Sequence, residues 1–482
     1  MGNECGRSTE RRDKINYYLD LAEVVAQRGT CLRKHYGAVI VKNDEVISTG
    51  YVGAPRGRKN CTDIGHCIRE ELKIPRGERY ELCRSVHAEA NAIICASRDE
   101  MIGGSIFLCG VDAVTGEYTQ YFGGVAGAMT AINATLTRCN GIFEMDFGLH
   151  LILQDFPGLI YPDPATDPYS NASVGTASGN SNNLQGWNLQ LQNTLSTTIG
   201  SAAYDIGHLF GASGGGGNAG CIGCVCVAPT SESATNLNKG KGSAFTSPAD
   251  GIPMGDNFDI DYVAHEIGHQ LGANHTFSMS LEGTGQNVEP GSGSTIMGYA
   301  GITSQNVQQH SDAYFHVNSI IQVQNNLVAK TCDIETPVNN NPPVITAMAD
   351  VTIPKGTAFV LTAHATDPEN DPMTYTWEQV DNASSGTTIA NLGTLTNGPT
   401  FRSWTPTASP TRYFPKFSTV LAGNLKNNAD WEAVSTVARA TNFRVTVRDN
   451  NADVAQKQTQ SALQKVTVHA NGPFKITSTN VY

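Results

Sequence analysis

The residues His265-Glu266-Ile267-Gly268-His269-Gln270-Leu271-Gly272-Ala273-Asn274-His275 constrain this 482-residue chain more than any other stretch. On an α-helix, positions i and i+4 share a face, so the spacing predicts two imidazoles, His265 and His269, aimed at one point. Glu266 sits one residue round the helix, beside the place a metal-held water would take. Gly272 can adopt a backbone conformation closed to residues with a side chain, which predicts a helix end and a turn there. That turn brings His275 back as a third imidazole. Three nitrogen donors with a fourth tetrahedral position left for water make a catalytic zinc arrangement, not a structural one. The competing reading is an amphipathic helix carrying surface histidines.

A second element agrees with the first. Gly293-Ser294-Thr295-Ile296-Met297-Gly298-Tyr299 resembles the Met-turn of metzincin metalloproteases, in which the methionine, here Met297, forms an apolar floor beneath the zinc ligands. With Gly123–Ala128, Asn133, Tyr204–His208 and Asp259–Ala264, the stretch 118–335 resembles a reprolysin-like metzincin catalytic domain. The resemblance implies a helix after the first strand, a twisted sheet above the histidine helix, and a cleft between two lobes. It implies one catalytic Zn2+ on His265, His269 and His275, and protein or peptide substrates. It also implies hydrolysis through a zinc-activated water with Glu266 as general base. Two readings of Tyr299 stand open, a contact to zinc or the oxyanion and an ordinary core or rim tyrosine. His208, His310 and His316 are expected to be structural, since the ligand set is complete without them. One departure is Thr276, where many reprolysins carry Asp directly after the third histidine.

The N-terminal part has another character. Residues 1–117 carry 17 Lys and Arg against 17 Asp and Glu, whereas the rest carries 15 against 27, so the net charge of −12 lies entirely in the rest. Such a shift marks a domain boundary. Tyr17–Ala26 has helical periodicity, and Ala38–Val41 with Glu45–Gly50 reads as a hairpin. His87-Ala88-Glu89 opening a helix is the first half of the zinc-deaminase signature H-x-E…P-C-x-x-C. With Gly50–Gly57 and Asn60-Cys61, the segment resembles deoxycytidylate deaminase. In that family His87 would bind zinc, and Glu89 would shuttle protons during deamination of dCMP to dUMP. No P-C-x-x-C follows Glu89, and a zinc held by one imidazole without its two thiolates is not retained, so no deaminase activity is expected. Cys61, His66, Cys67 and Cys83 form either a separate structural zinc site or a set of reduced, buried thiols.

The word Val114-Thr115-Gly116-Glu117-Tyr118-Thr119 fits both families, which points to a chimera joined at a shared word. Ser105–Val111, a deaminase strand, is then expected to stand in for the first strand of the protease sheet. Gly- and Ser-rich stretches at 170–186 and 213–220 are expected to be surface loops flanking the cleft. Cys139, Cys221, Cys224, Cys226 and Cys332 leave one over if they pair, and spacing does not reveal the pairing.

After Cys332 the composition changes again. Residues 336–343 read as a linker. Val351–Ile353, Ala358–Ala363, Met373–Gln379, Phe443–Val447 and Val466–His469 read as strands of an Ig-like or cadherin-like sandwich over 344–470. The acidic loop Asp367–Pro372 is read either as a Ca2+ site or as a solvated turn, and 471–482 as the start of a further module or a tail. The expected architecture is therefore multidomain: a truncated α/β cytidine-deaminase-like segment, an α/β metzincin catalytic domain, and an all-β Ig-like sandwich.

The acidic balance and the want of a basic patch argue against a nucleic-acid polymer as partner. A free nucleotide is a partner only if the deaminase part were functional. No apolar run is long enough for a membrane span. The protease resemblance implies secretion, yet no signal peptide opens the chain, so the sequence as written is expected in the cytoplasm. The leading functional expectation is a zinc metalloendopeptidase. A deoxycytidylate deaminase using His87 and Glu89 and an inactive chimeric adhesion protein are the alternatives.

Overall fold

The structure is a computed structural model that describes residues 14–32, 35–42, 45–54, 59–67, 71, 73, 105–107, 113–154, 156–176, 185–229, 240–330, 332 and 338–474. It divides into two compact units, Met1–Val111 with Leu153–Asp155, and Asp112–Ile152 with Phe156–Tyr482.

In the first unit a helix, Lys14–Ala26, precedes the antiparallel hairpin of β1 (Gly37–Lys42) and β2 (Glu45–Tyr51), as its periodicity and alternation predict. The apolar run in β1 does not alternate because both faces are covered. Val39 and Val41 pack with Tyr18 and Ala22 of the helix, and Ala38 and Ile40 pack with Cys31 and Val52. The outer edge of β1 is taken by β3 (Ser105–Phe107). This corrects the expectation for 105–111: at 105–107 the strand forms its ladder with Val39, Ile40 and Val41 of its own segment. The edge strand of the second unit's sheet is instead β4 (Ala113–Val114), both residues fully buried.

The second unit holds a four-stranded sheet of order β4-β5-β7-β6, with β5 at His208–Phe210, β6 at Gly216–Asn218 and β7 at Ala244–Ser247. The first three pair in parallel and β6 runs antiparallel at the edge. One face is covered by the helix Gly186–Thr198, whose Trp187, Leu191 and Leu195 recur at helical spacing and pack on Leu209 and Phe245. Each such side chain contributes about 1.5–3 kcal/mol on burial. The other face takes the alternate residues of β5, with Phe210 stacked against Tyr118 and tilted against Phe258. The stretch 213–220, expected as loop, thus contains β6. Its glycines mask the strand, since they carry no side chains whose alternation could be read.

A long helix, Val125–Phe147, buries Ile132, Leu136, Cys139 and Phe143 and ends at Gly148 in the left-handed conformation (φ 66°). Disulfides join Cys221 to Cys224 and Cys226 to Cys332. Cys139 is the one left over, buried, with its thiol on the carbonyl of Asp259 at 3.3 Å.

Beyond residue 338 the five expected strands are present as Val351–Pro354, Phe359–Thr362, Met373–Gln379, Arg439–Asp449 and Thr459–His469. Four form one sheet, ordered 373–379, 439–449, 459–469, 351–354, and Phe359–Thr362 pairs separately with Thr411–Phe414. Leu361, Trp377, Phe414, Phe443, Val445 and Val447 fill the core between them. The opposite face of the large sheet is buried too. Thr376, Glu378, Thr446 and Arg448 are all 2% exposed or less, because the metal-site half of the same unit packs there. Arg448 Nε donates to Asp146 Oδ1 of the long helix at 2.6 Å. Val317 N donates to Glu378 Oε2 at 2.9 Å. The region after the expected linker therefore packs against the half of the unit that carries the long helix and the Phe315 segment.

The Asp367–Pro372 loop folds as a turn in which Asp367 Oδ1 accepts from the amides of Glu369 and Asp371, at 3.0 and 2.8 Å. It assembles no three-residue acidic ligand set among the described residues, so the calcium reading finds no support. No helix among the described residues is long and apolar enough to cross a membrane.

Candidate metal centre

The histidine helix, His265–Leu271, follows a π-helical turn at Asp259–Ala264 and ends at Gly272, whose φ of 126° is open only to glycine. Asn326 seals the end by donating to the carbonyl of Leu271 at 2.7 Å. Among the described residues one set of three potential metal ligands comes together: His265, His269 and His275, with ligand atoms all within 4.8 Å of one another. His269 Nε2 lies 3.0 Å from His275 Nε2. A tetrahedral zinc with bonds of about 2.0–2.1 Å needs nitrogens at roughly this separation. The donor set fits zinc.

The tautomers also suit. His265 Nδ1 donates to the carbonyl of Ile296 at 2.6 Å, and His269 Nδ1 to that of Ala273 at 2.7 Å. Each ring thereby keeps its proton on Nδ1 and a bare lone pair on Nε2. Burial pushes His265 down to about 3 and His269 well below its ordinary value, so both rings are neutral.

The Met-turn supports the ligands from beneath. Met297 is fully buried, and its sulfur would lie 2.7 Å from a β-carbon placed on Gly268 of the histidine helix. The turn also holds the site through its backbone. The carbonyl of Ile296 fixes the first imidazole. The carbonyl of Met297 accepts from the amide of Thr276, next to the third, at 3.1 Å.

Glu266 is 7% exposed. Burial pushes its carboxyl up to about 8, partly offset by the amide of Ala219, which donates to it. The carboxylate lies against β6: a β-carbon on Gly217 would sit 2.5 Å from Oε1. Tyr299 is placed at the centre as well, its ring 4.5 Å from that of His275 and 5.7 Å from that of His265. Burial pushes its hydroxyl upward, with Glu266 and Glu282 adding to the shift.

The other histidines are elsewhere. His208 donates from Nδ1 to Gln270 Oε1 at 3.0 Å and accepts at Nε2 from Thr246 at 2.8 Å. Burial lowers it to about 4. His310 pairs with Asp261 at 2.7 Å. His316 caps the helix Val317–Leu327 through the amide of Asn318. His87, Glu89 and Cys83 lie outside the described residues. Cys61 and Cys67 are buried, but His66 is exposed and turned to Glu71 at 3.3 Å, so these three gather no site.

Two carboxylates of the centre had no signal in the sequence. Glu282 faces Nδ1 of His275 with both oxygens at 3.0 Å. Glu289, 1% exposed, accepts from Thr276 Oγ1 at 2.6 Å, from the amides of Ser294 and Thr295 at 2.9 and 3.2 Å, and from Thr295 Oγ1. It ties the residue after the third histidine to the entry of the Met-turn. Thr276, at the position where the resemblance leads to an expected Asp, donates its hydroxyl to the Glu289 carboxylate.

Comparison with known proteins gives two matches, which overlap over residues 106–112. Residues 106–327 match the metallo-peptidase family M12B, reprolysin-like. Residues 12–112 match the cytidine and deoxycytidylate deaminase zinc-binding region. The chain joins a segment of the cytidine and deoxycytidylate deaminase family to a domain that matches the reprolysin-like metallopeptidase family. The deaminase segment is 37% identical over 102 residues to deoxycytidylate deaminase of Mycobacterium phage D29, covering 20% of this chain and 78% of that protein. It is 35% identical over 94 residues to deoxycytidylate deaminase of Schizosaccharomyces pombe, again 20% of this chain but only 29% of that protein. A solved dCMP deaminase from cyanophage S-TIM5, in apo form, is 23% identical. The match covers 22% of this chain and 71% of that one, at a TM-score of 0.15, too low to bear on the fold. Both domains belong to enzyme families, and both families are zinc families.

Proposed function

We propose that the reprolysin-like domain is a zinc-dependent endopeptidase that hydrolyses protein substrates. The observation that carries this reading is the convergence of three imidazoles on one point, with the buried carboxyl of Glu266 beside them. His265, His269 and His275 would hold the metal through Nε2. The chemistry a bound zinc supplies is Lewis acidity, which acidifies water and polarises a carbonyl. Glu266 would accept the water proton on its carboxylate and return it to the leaving amine. Tyr299, its ring near those of His265 and His275 and its hydroxyl kept protonated by burial, would donate a hydrogen bond to an oxyanion.

The edge position of β6 suggests how a peptide is held. An extended substrate laid along its outer edge would add a strand, with main-chain hydrogen bonds supplying register. Gly217 lets that strand approach Glu266. Gly217→Ala is therefore expected to push the carboxylate aside and lower turnover about 100-fold, with little change in Tm. Peptide hydrolysis and thermal unfolding measured together check this.

The domains follow the same reading. We take 118–335 as the catalytic region and 344–470 as an Ig-like sandwich built onto it. Residues 1–117 are taken as a deaminase remnant that does not deaminate, because the sequence has no P-C-x-x-C after His87 and Glu89.

Casein hydrolysis by the full chain tests the central claim. Activity is expected to vanish with a strong zinc chelator and to return when zinc is restored. Hydrolysis that persists in zinc-free protein would overturn the reading. Turnover of dCMP would overturn the inert assignment of the N-terminal segment.

A further inference from the structure

The three imidazoles are not held alike. His265 and His269 lie on a helix, with each Nδ1 on a backbone carbonyl of a fixed element. His275 lies beyond the turn at Gly272, where no helical spacing fixes its ring. Its Nδ1 meets a carboxylate instead: both oxygens of Glu282 stand 3.0 Å away. The pair is only partly shielded, with side chains 15% and 35% exposed.

The segment that brings Glu282 back is pinned at both ends. Asn287 Nδ2 donates to the carbonyl of Phe277 at 2.6 Å, closing the excursion on itself. From the region beyond residue 338, the side chain of Asn382 accepts from the amide of Asn287 at 2.9 Å. The amide of Ala383 donates to the carbonyl of Asn287 at 2.9 Å, and that of Thr387 to the carbonyl of Ser278 at 2.7 Å.

We infer that Glu282 is a positioning residue for the metal centre: it fixes the Nδ1–H tautomer and the ring plane of His275, and so aims Nε2 at the metal. The inference rests on the metallopeptidase reading above. A carboxylate on the far nitrogen of a ligating imidazole also raises its basicity, and loss of such a partner typically costs 10- to 100-fold in metal affinity. Glu282 acts through His275. The contacts from Asn382, Ala383 and Thr387 make the C-terminal region part of this support.

The test is zinc affinity of the full chain, measured by competition with a chromophoric chelator for wild type, Glu282→Ala, Glu282→Gln and His269→Ala. The Tm of each metal-free protein is measured alongside. Glu282→Ala is expected to bind zinc about 10- to 100-fold more weakly than wild type, and Glu282→Gln, which keeps an acceptor without the charge, to fall between. The metal-free Tm of both should match wild type. The cobalt-substituted protein should show a ligand-field spectrum altered in the Ala variant and nearer wild type in the Gln variant. Unchanged zinc affinity in Glu282→Ala, with binding abolished in His269→Ala, would overturn the role of Glu282 and leave the metal site standing. Zinc binding unaffected by His269→Ala would overturn the metal-site reading and this inference with it.

Discussion

Glu266→Gln is expected to lower casein turnover by about 100- to 10,000-fold while zinc stays bound and the fold is kept. The substitution preserves the shape of the side chain and an oxygen able to accept from the amide of Ala219, but removes the group that takes up a proton. On the proposed reading the three imidazoles, not this carboxylate, would hold the metal, so metal affinity should change little. Burial, partly offset by the Ala219 amide, pushes the acid up to about 8. A divalent cation beside it works in the opposite direction, favouring the carboxylate, the form that accepts a proton. The measurement pairs the turnover rate with zinc content in the same preparations. A Gln variant that retains zinc and turns over within about threefold of wild type would remove Glu266 from the proton-transfer role, whose usual contribution is far larger.

Arg448→Met is expected to destabilise the second unit by about 3–5 kcal/mol. The Arg448 and Asp146 side chains are 2% and 1% exposed, with Nε and Oδ1 2.6 Å apart. Arg448 also donates to Thr376 Oγ1 at 3.0 Å and to the carbonyl of Phe315 at 3.4 Å. Asp146 Oδ2 accepts from the amide of Phe315 at 2.7 Å. Removing the guanidinium leaves a carboxylate in a dry interior with one donor, which is the costly half of a broken buried pair. A double variant, Asp146→Leu with Arg448→Met, should recover part of the loss because no charge is then stranded. All four tryptophans, Trp187, Trp377, Trp404 and Trp431, lie in the second unit, so denaturation followed by tryptophan fluorescence reports on that unit alone. A midpoint for the single variant equal to wild type would show that the pair is solvated and the interface loose.

The same pair shows why the C-terminal region reads differently in sequence and in space. Phe443, Val445 and Val447 alternate with polar neighbours, the pattern of a strand with one face in water. In the folded chain Thr446 and Arg448 are as buried as their apolar neighbours, because the long helix and the Phe315 segment cover that face. A polar face covered by a polar interface has the composition of a solvated one.

The contrast extends across the centre. The spacing of His265, Glu266 and His269 was legible because helical geometry is local: which face a residue joins depends on four neighbours, and the chain encodes that directly. Gly272 was legible for a similar reason, since a positive φ selects its own residue type. The Met-turn followed from a contiguous word. The strands beyond residue 338 followed from alternation, whereas β6 escaped because glycine carries no alternating signal. Glu282 and Glu289 reach their partners across 7 and 13 residues of irregular chain, and Arg448 meets Asp146 across 302. No period connects such positions. The sequence by itself determined the chemistry available at the histidine helix. Only the tertiary structure decided which carboxylates orient and brace it, because those contacts depend on where non-repeating loops close and on which surfaces lose their water together.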